Sequence, residues 1–171
     1  MELRAKQCIL RPWRNGDQDS LVRHGNNPNV SRWLDERFPY PYTRDAADSW
    51  IAICESNPLH NGLAIVIDGQ PVGGIGIVLR EGILQKNASL GYWLGEAFWG
   101  RGIVPDAVSV FVPDAFERFG LARIEASVFP ANRASCRVLE RNGFILESTQ
   151  RNGLYKNGVV YDRLLYARWT K

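Results

Sequence analysis

Histidine, cysteine and methionine are all scarce in this chain: two, three and one among 171 residues. His24 and His60 are too few for the usual zinc centres, and Cys8, Cys54 and Cys136 show neither a C-x-x-C pair nor another metal-ligand spacing. No metal site is expected. An odd set of isolated cysteines reads as reduced thiols, which points to a cytoplasmic protein. Long apolar runs are also missing, and no stretch approaches the roughly 20 residues that a spanning helix needs. The N-terminal Met-Glu-Leu-Arg-Ala-Lys-Gln lacks the apolar centre of a signal peptide. Charge of one sign is not concentrated anywhere. The net charge is +3, and the 21 Lys and Arg are scattered, whereas nucleic-acid binding calls for a clustered basic face. Nucleic acid and membrane are therefore not expected as partners.

The chain does carry an ordinary globular composition, 45% hydrophobic and 23% charged. No repeat or linker interrupts it, so residues 1–171 are expected to form one domain. Cys8 to Trp13 reads as a first strand ending at Asn15-Gly16-Asp17. Residues 17–37 are helix-compatible but broken at Asn26-Asn27-Pro28. Thr43 is a plausible N-cap for a helix to about Ser56. Leu63–Ile67 and Gln70–Leu79 flank Asp68-Gly69, a strong hairpin signal. Gly73, Gly74 and Gly76 in the second strand mark a bulge or a close backbone approach. Strands follow at 88–94, 123–128, 144–150 and 159–169, the last two joined through Arg151-Asn152-Gly153 and Lys156-Asn157-Gly158. Apolar residues at 103, 104, 107, 108, 111, 112, 115, 116 and 119 predict a buried helix stripe, with Pro113 expected to kink or split it. A short helix is predicted from Asn132 to Arg141. The pattern is that of an α/β (α+β) protein with a mixed sheet.

Residues 92–107 are the most informative stretch: an apolar strand, a glycine-bearing loop, then the start of a helix. Gly100 and Gly102 bracket Arg101, and Pro105 falls in the first turn of a helix read over 103–119, where its missing N–H is tolerated. Unpaired N–H groups and the helix dipole at such a start favour a phosphate or pyrophosphate.

Further residues extend this into a resemblance. Tyr92-Trp93-Leu94 leads into Phe98-Trp99-Gly100-Arg101-Gly102; Asn132-Arg133-Ala134-Ser135 is followed by Val138-Leu139-Glu140-Arg141-Asn142-Gly143-Phe144; Pro39 to Thr43 precedes a helix containing Trp50; and Gly158, Tyr161, Asp162 and Tyr166 close the chain. From about residue 7 to 169 the sequence resembles the GNAT family of N-acetyltransferases, in particular its ribosomal-protein (RimJ/RimL-like) branch. The resemblance implies a single-domain GNAT-like fold with a mostly antiparallel sheet of about 6–7 strands and about 4 helices. It also implies acetyl-CoA as cofactor, and a monomer or homodimer. The family's phosphate loop falls on Trp99, Gly102 and Val104; Val104 stands where the family has Gly or Ala.

By the same resemblance, the backbone of Leu94, Gly95 and Glu96 meets the acyl carbonyl and pantetheine arm. The amides of Trp99, Gly100, Arg101, Gly102, Ile103 and Val104 hold the pyrophosphate. Asn132 contacts the pantetheine arm while capping its helix, and Ser135 matches the general acid that protonates the departing sulfur. Glu125, on the strand before that helix, is the candidate general base, with a surface charge as its alternative. Asp162 is read as bracing the last strands. His24 and His60 lie in polar segments and read as solvated. Cys136 has no histidine partner in the sequence, so direct attack in a ternary complex is expected over a cysteine nucleophile. The acceptor is placed between residues 26–45 and the loop 151–158, with Trp33, Tyr40, Tyr42 and Tyr155 as its candidate contacts. It is a small-molecule amine or a peptide N-terminus; aromatics and acids suit a cation, while Arg32, Arg37 and Arg44 suit a carboxylate. The alternative to transfer is a non-catalytic acyl-CoA-binding or sensor protein on the same fold.

Overall fold

The structure is a computed structural model that describes residues 2–170. Eight strands form one sheet: β1 (Leu3–Arg4), β2 (Ile9–Pro12), β3 (His60–Ile67), β4 (Gln70–Leu79), β5 (Asn87–Leu94), β6 (Arg123–Val128), β7 (Ile145–Lys156) and β8 (Val159–Trp169). Five helices accompany them: α1 (Gln18–Gly25), α2 (Pro28–Ser31), α3 (Arg44–Ser56), α4 (Ile103–Phe119) and α5 (Arg133–Arg141). The sheet order is β1-β2-β3-β4-β5-β6-β8-β7, and every neighbouring pair is antiparallel except β5 and β6. The strand count exceeds the expected 6–7 through the two-residue edge strand β1. The helix count exceeds four because Asn27 caps a separate one-turn α2, its side chain accepting from Asn29 N.

Strand periodicity separates two cores. On β3, Leu63 and Ile65 face one side and pack with Ala107, Val108, Phe111 and Val112 of α4, while Ala64 and Val66 face the other and pack with Leu21, Ala47 and Ile51 of α1 and α3. On β5 the same alternation sends Leu90 and Leu94 toward α4. The sheet is thus covered by different helices on its two faces.

Asp68 and Gly69 turn β3 into β4 with φ of 48° and 78°, the left-handed pair that a two-residue hairpin requires. Asn157 and Gly158 do the same between β7 and β8, with φ of 49° and 80°. The Arg151-Asn152-Gly153 signal, expected as a connection, lies inside β7 instead. The register jumps from Gln150↔Arg163 to Leu154↔Tyr161, so two extra residues bulge out. Asp162 holds the bulge, accepting from Asn152 N (3.1 Å) and Arg151 Nη1 (3.0 Å). That is the bracing role read for it. Pro113 does not split α4, whose buried stripe from Ile103 to Ala115 continues across it. The helix ends at Gly120 (φ 56°), where Leu121 N bonds back to Phe116 O at 3.1 Å.

Candidate acetyl-transfer site

The sheet opens where its one parallel pair ends. β5 and β6 are in register only at Asn87↔Arg123, Ala88↔Ile124 and Ser89↔Glu125. Beyond that point β5 runs on along β4 to Leu94, and β6 runs on along β8 to Val128. The divergence leaves the facing strand edges free of each other, and α4 and α5 begin on either side of it. A cavity of about 340 Å³ occupies this place.

Its lower wall is the start of α4. Gly100 and Gly102 both have φ of 76°, which Gly adopts without strain. Trp99 ties the loop down by donating its indole N–H to Leu94 O at 2.8 Å. The first intrahelical bond of α4 runs from Asp106 N to Gly102 O (3.2 Å), so the amides of Gly102, Ile103 and Val104 precede the ladder and point out of the helix end. Pro105 is the third helical residue, in the first turn of a helix that begins at Ile103 behind the left-handed cap Gly102. The Asp106 carboxylate, in the same first turn, is turned to Gln7 N at 2.7 Å.

The opposite wall is α5. Asn132 caps it, its Oδ1 accepting from Ser135 N at 3.3 Å. Ala134, Arg137, Val138 and Arg141 all line the cavity; their i, i+3, i+4, i+7 spacing makes them one stripe of the helix. Ser135 Oγ lies 2.8 Å from the Tyr92 hydroxyl, which rises from β5 across the gap. Burial pushes the Tyr92 phenol up, against the Ser135 hydrogen bond that draws it down, so it is protonated at neutral pH.

A second cavity, about 560 Å³, lies against the sheet face covered by α3. Phe38, Tyr42, Trp50 and Trp93 give it aromatic walls, and His60 lines it near the start of β3. Leu34, Tyr92 and Trp93 belong to both cavities. The two spaces therefore meet at the opening between β5 and β6.

Residues 7–145 match the acetyltransferase (GNAT) domain family. The chain belongs to the GNAT acetyltransferase family. It is 38% identical over 109 residues to the Bacillus subtilis protein named "Probable N-acetyltransferase YjcK", a match covering 63% of this chain and 60% of that one. It is 36% identical over 170 residues to B. subtilis "Uncharacterized N-acetyltransferase YoaA", covering 96% and 94%. Among solved structures, Mycobacterium smegmatis RimJ in complex with CoA-disulfide superposes with a TM-score of 0.83 at 29% identity, covering 99% of this chain and 86% of that one.

Within this GNAT domain the candidate residues divide. Leu94, Trp99, Gly100, Gly102, Ile103, Val104, Asn132 and Ser135 come together around the first cavity. Gly95, Glu96 and Arg101 lie outside both cavities. Gly95 N is already bonded to Val72 O (2.8 Å), and the Glu96 carboxylate takes Asn27 Nδ2 (2.6 Å) and Asn29 Nδ2 (3.0 Å), fastening α2 to the end of β5. Arg101 folds back onto Ala97 O (3.1 Å) and the Phe98 ring. The cations that do line the cavity are Arg137 and Arg141. The helical stripe at 134, 137, 138 and 141 was the sequence signal for them.

Glu125 is also corrected. It sits between Arg80 (3.6 Å) and Arg123 (3.4 Å), lines neither cavity, and is a partner in an ion cluster rather than a free base. Of the acceptor candidates, Tyr42 lines the second cavity and is buried, whereas Trp33 lines the first, packed on Phe129 at 5.6 Å. Tyr40 and Tyr155 are 55% and 65% exposed and line neither. None of residues 151–158, at the hairpin end of β7 and β8, lines either cavity. Lys156, itself buried, donates to Ser31 O (2.8 Å) and Leu34 O, and Asn157 N donates to Glu36 Oε1 (2.8 Å). The hairpin thereby fastens the segment after α2, and the facing wall of the second cavity comes from β3 to β5 and α3. His60 lines this cavity and is half-buried, and His24 packs edge-on against Phe98 at 5.5 Å.

Proposed function

We propose that this chain transfers an acetyl group from acetyl-CoA to a primary amine by direct attack, the two substrates entering from opposite faces of the sheet. The observation that carries this is the pair of cavities that share Tyr92, on the stretch of β5 beyond its last pair with β6. The first fits a CoA ester by the chemistry of its walls: free helix-start amides and two guanidinium groups for phosphates, and apolar surface from Leu94, Ile103 and Val138 for the arm. When bound, acetyl-CoA supplies an activated acyl group on a good leaving sulfur.

The residues then divide the work. The Gly102, Ile103 and Val104 amides and Arg137 and Arg141 hold the phosphates. Asn132 presents its amide N–H to the arm while its oxygen caps α5. The Ser135 and Tyr92 hydroxyls, 2.8 Å apart, form a proton-donating pair for the sulfur as it departs. His60 lines the far end of the acceptor side, two strands across from β5 and level with Ser89 rather than Tyr92, so the proton released by the amine is not assigned to it. The RimJ likeness puts peptide N-termini among the acceptors to test.

Incubation of the full chain with acetyl-CoA and a panel of amines and N-terminal peptides, with free thiol as readout, tests the reading. Thiol release above the acceptor-free rate is expected, and Ser135→Ala is expected to lower kcat about 10- to 100-fold while CoA affinity stays within about twofold. CoA binding with no acceptor-dependent release, and no effect of Ser135→Ala, would instead support the non-catalytic acyl-CoA sensor.

A further inference from the structure

Three glycines stand in register across the floor of the second cavity. Gly62 on β3 is opposite Gly76 on β4, and Gly76 is opposite Gly91 on β5. Packing explains the first two. A Cβ on Gly62 would lie 3.0 Å from Cys54 Sγ and 3.2 Å from the Trp50 ring, and one on Gly76 would lie 2.7 Å from Asn61 O. Gly91 has no such reason. A Cβ there meets nothing within 4 Å, and its φ is not in the left-handed region. Glycine inside a strand is destabilising relative to alanine, because it loses more chain entropy and packs no side chain. What Gly91 does provide is a flat, unobstructed floor next to Tyr92.

The walls above that floor are the rings of Phe38, Trp50 and Trp93. Among the described residues the one carboxylate lining the cavity is Asp35, and Arg37 already occupies it through bonds of 2.9 and 3.2 Å. A polycation would find no free counter-ion here. We infer that the acceptor is a primary amine carried on a flat apolar ring, and that Gly91 admits the ring by leaving the floor bare. Gly91 is thus a specificity-determining position. The inference rests on the acetyl-transfer reading above, which places the acceptor in this cavity.

The test compares phenethylamine and tryptamine with butylamine, spermidine and a serine-initiated hexapeptide, using the full chain and acetyl-CoA. The ring amines are expected to exceed the others in kcat/KM by at least about tenfold, as burial of several apolar groups allows. Gly91→Val is expected to raise KM for tryptamine at least about tenfold and to leave KM for butylamine and acetyl-CoA within about twofold. Gly91→Ala should fall between, and thermal melts should show both variants folded. A preference for spermidine or the peptide, or an unchanged tryptamine KM in Gly91→Val, overturns the inference. Calorimetric titration of tryptamine separates the two readings. Binding that Gly91→Val weakens, without turnover, supports the slot while transfer fails; turnover with butylamine but no tryptamine binding sinks the slot alone.

Discussion

Tyr92 sits where three features converge: the edge of β5 left free beyond its last pair with β6 at Ser89, the shared wall of both cavities, and the Ser135 hydroxyl at 2.8 Å. A serine hydroxyl alone is a poor acid, and a buried phenol behind it orients and polarises it. Tyr92→Phe keeps the ring and its packing but removes that partner. Steady-state kinetics should show kcat reduced about tenfold or more with KM for acetyl-CoA within about twofold. A loss confined to KM would mean that the phenol holds substrate rather than the reacting proton. At this scale the Asn132 cap was legible as a local pattern, whereas Ser135 was singled out only through the family resemblance. Tyr92 was not legible as a site residue, since an aromatic in an apolar strand reads as core. Glu125 misled for the opposite reason: nothing local announces that Arg80 and Arg123 will converge on it.

At the scale of elements, the start of α4 is the feature most open to a sharp test. Gly102 has φ of 76°, ends the loop and supplies the first of three outward-facing amides. Gly102→Asp introduces both a Cβ in a conformation that side chains rarely adopt and a carboxylate at the proposed phosphate site. CoA affinity, measured by calorimetry, should fall well over tenfold, since like charges a few ångströms apart near a protein surface repel by about 4 kcal/mol. Gly102→Ala serves as the control for backbone strain alone and should lose much less. Unchanged affinity in Gly102→Asp would move the phosphates away from this helix. The helix itself was readable in its apolar periodicity, and Pro113 was overestimated as a breaker because the buried stripe on both sides holds the helix together. The Arg151-Asn152-Gly153 bulge was misread as a turn. Its backbone signal is indeed that of a turn, and only Asp162 on the neighbouring strand makes it part of β7.

For the molecule as a whole, the two histidines couple stability to pH. Burial lowers the pKa of both below the ordinary 6.5, helped by the Arg23 charge at His24 and the Arg37 charge at His60. Below pH 6.5 the unfolded chain therefore binds protons that the folded chain resists, and folding stability must fall as the solution is acidified through that range. Asp35 and Glu147 act at lower pH. Their arginine partners depress their carboxyl pKa values, so the stability they add is present above the ordinary carboxylate range and is lost as pH falls through the depressed values. The two windows are separable. Melting temperature by circular dichroism should hold between pH 8 and 7, begin to drop near 6.5, and drop further below about 4.5. In a His24→Gln, His60→Gln double variant the first step should vanish and the second remain. The same acidification charges His60 beside the second cavity and His24 beside Phe98 and Gly95, where β5 enters the loop toward α4. A melting temperature that stays flat from pH 7 to 5.5 in the unmodified chain would mean that neither imidazole is held from water as this packing requires.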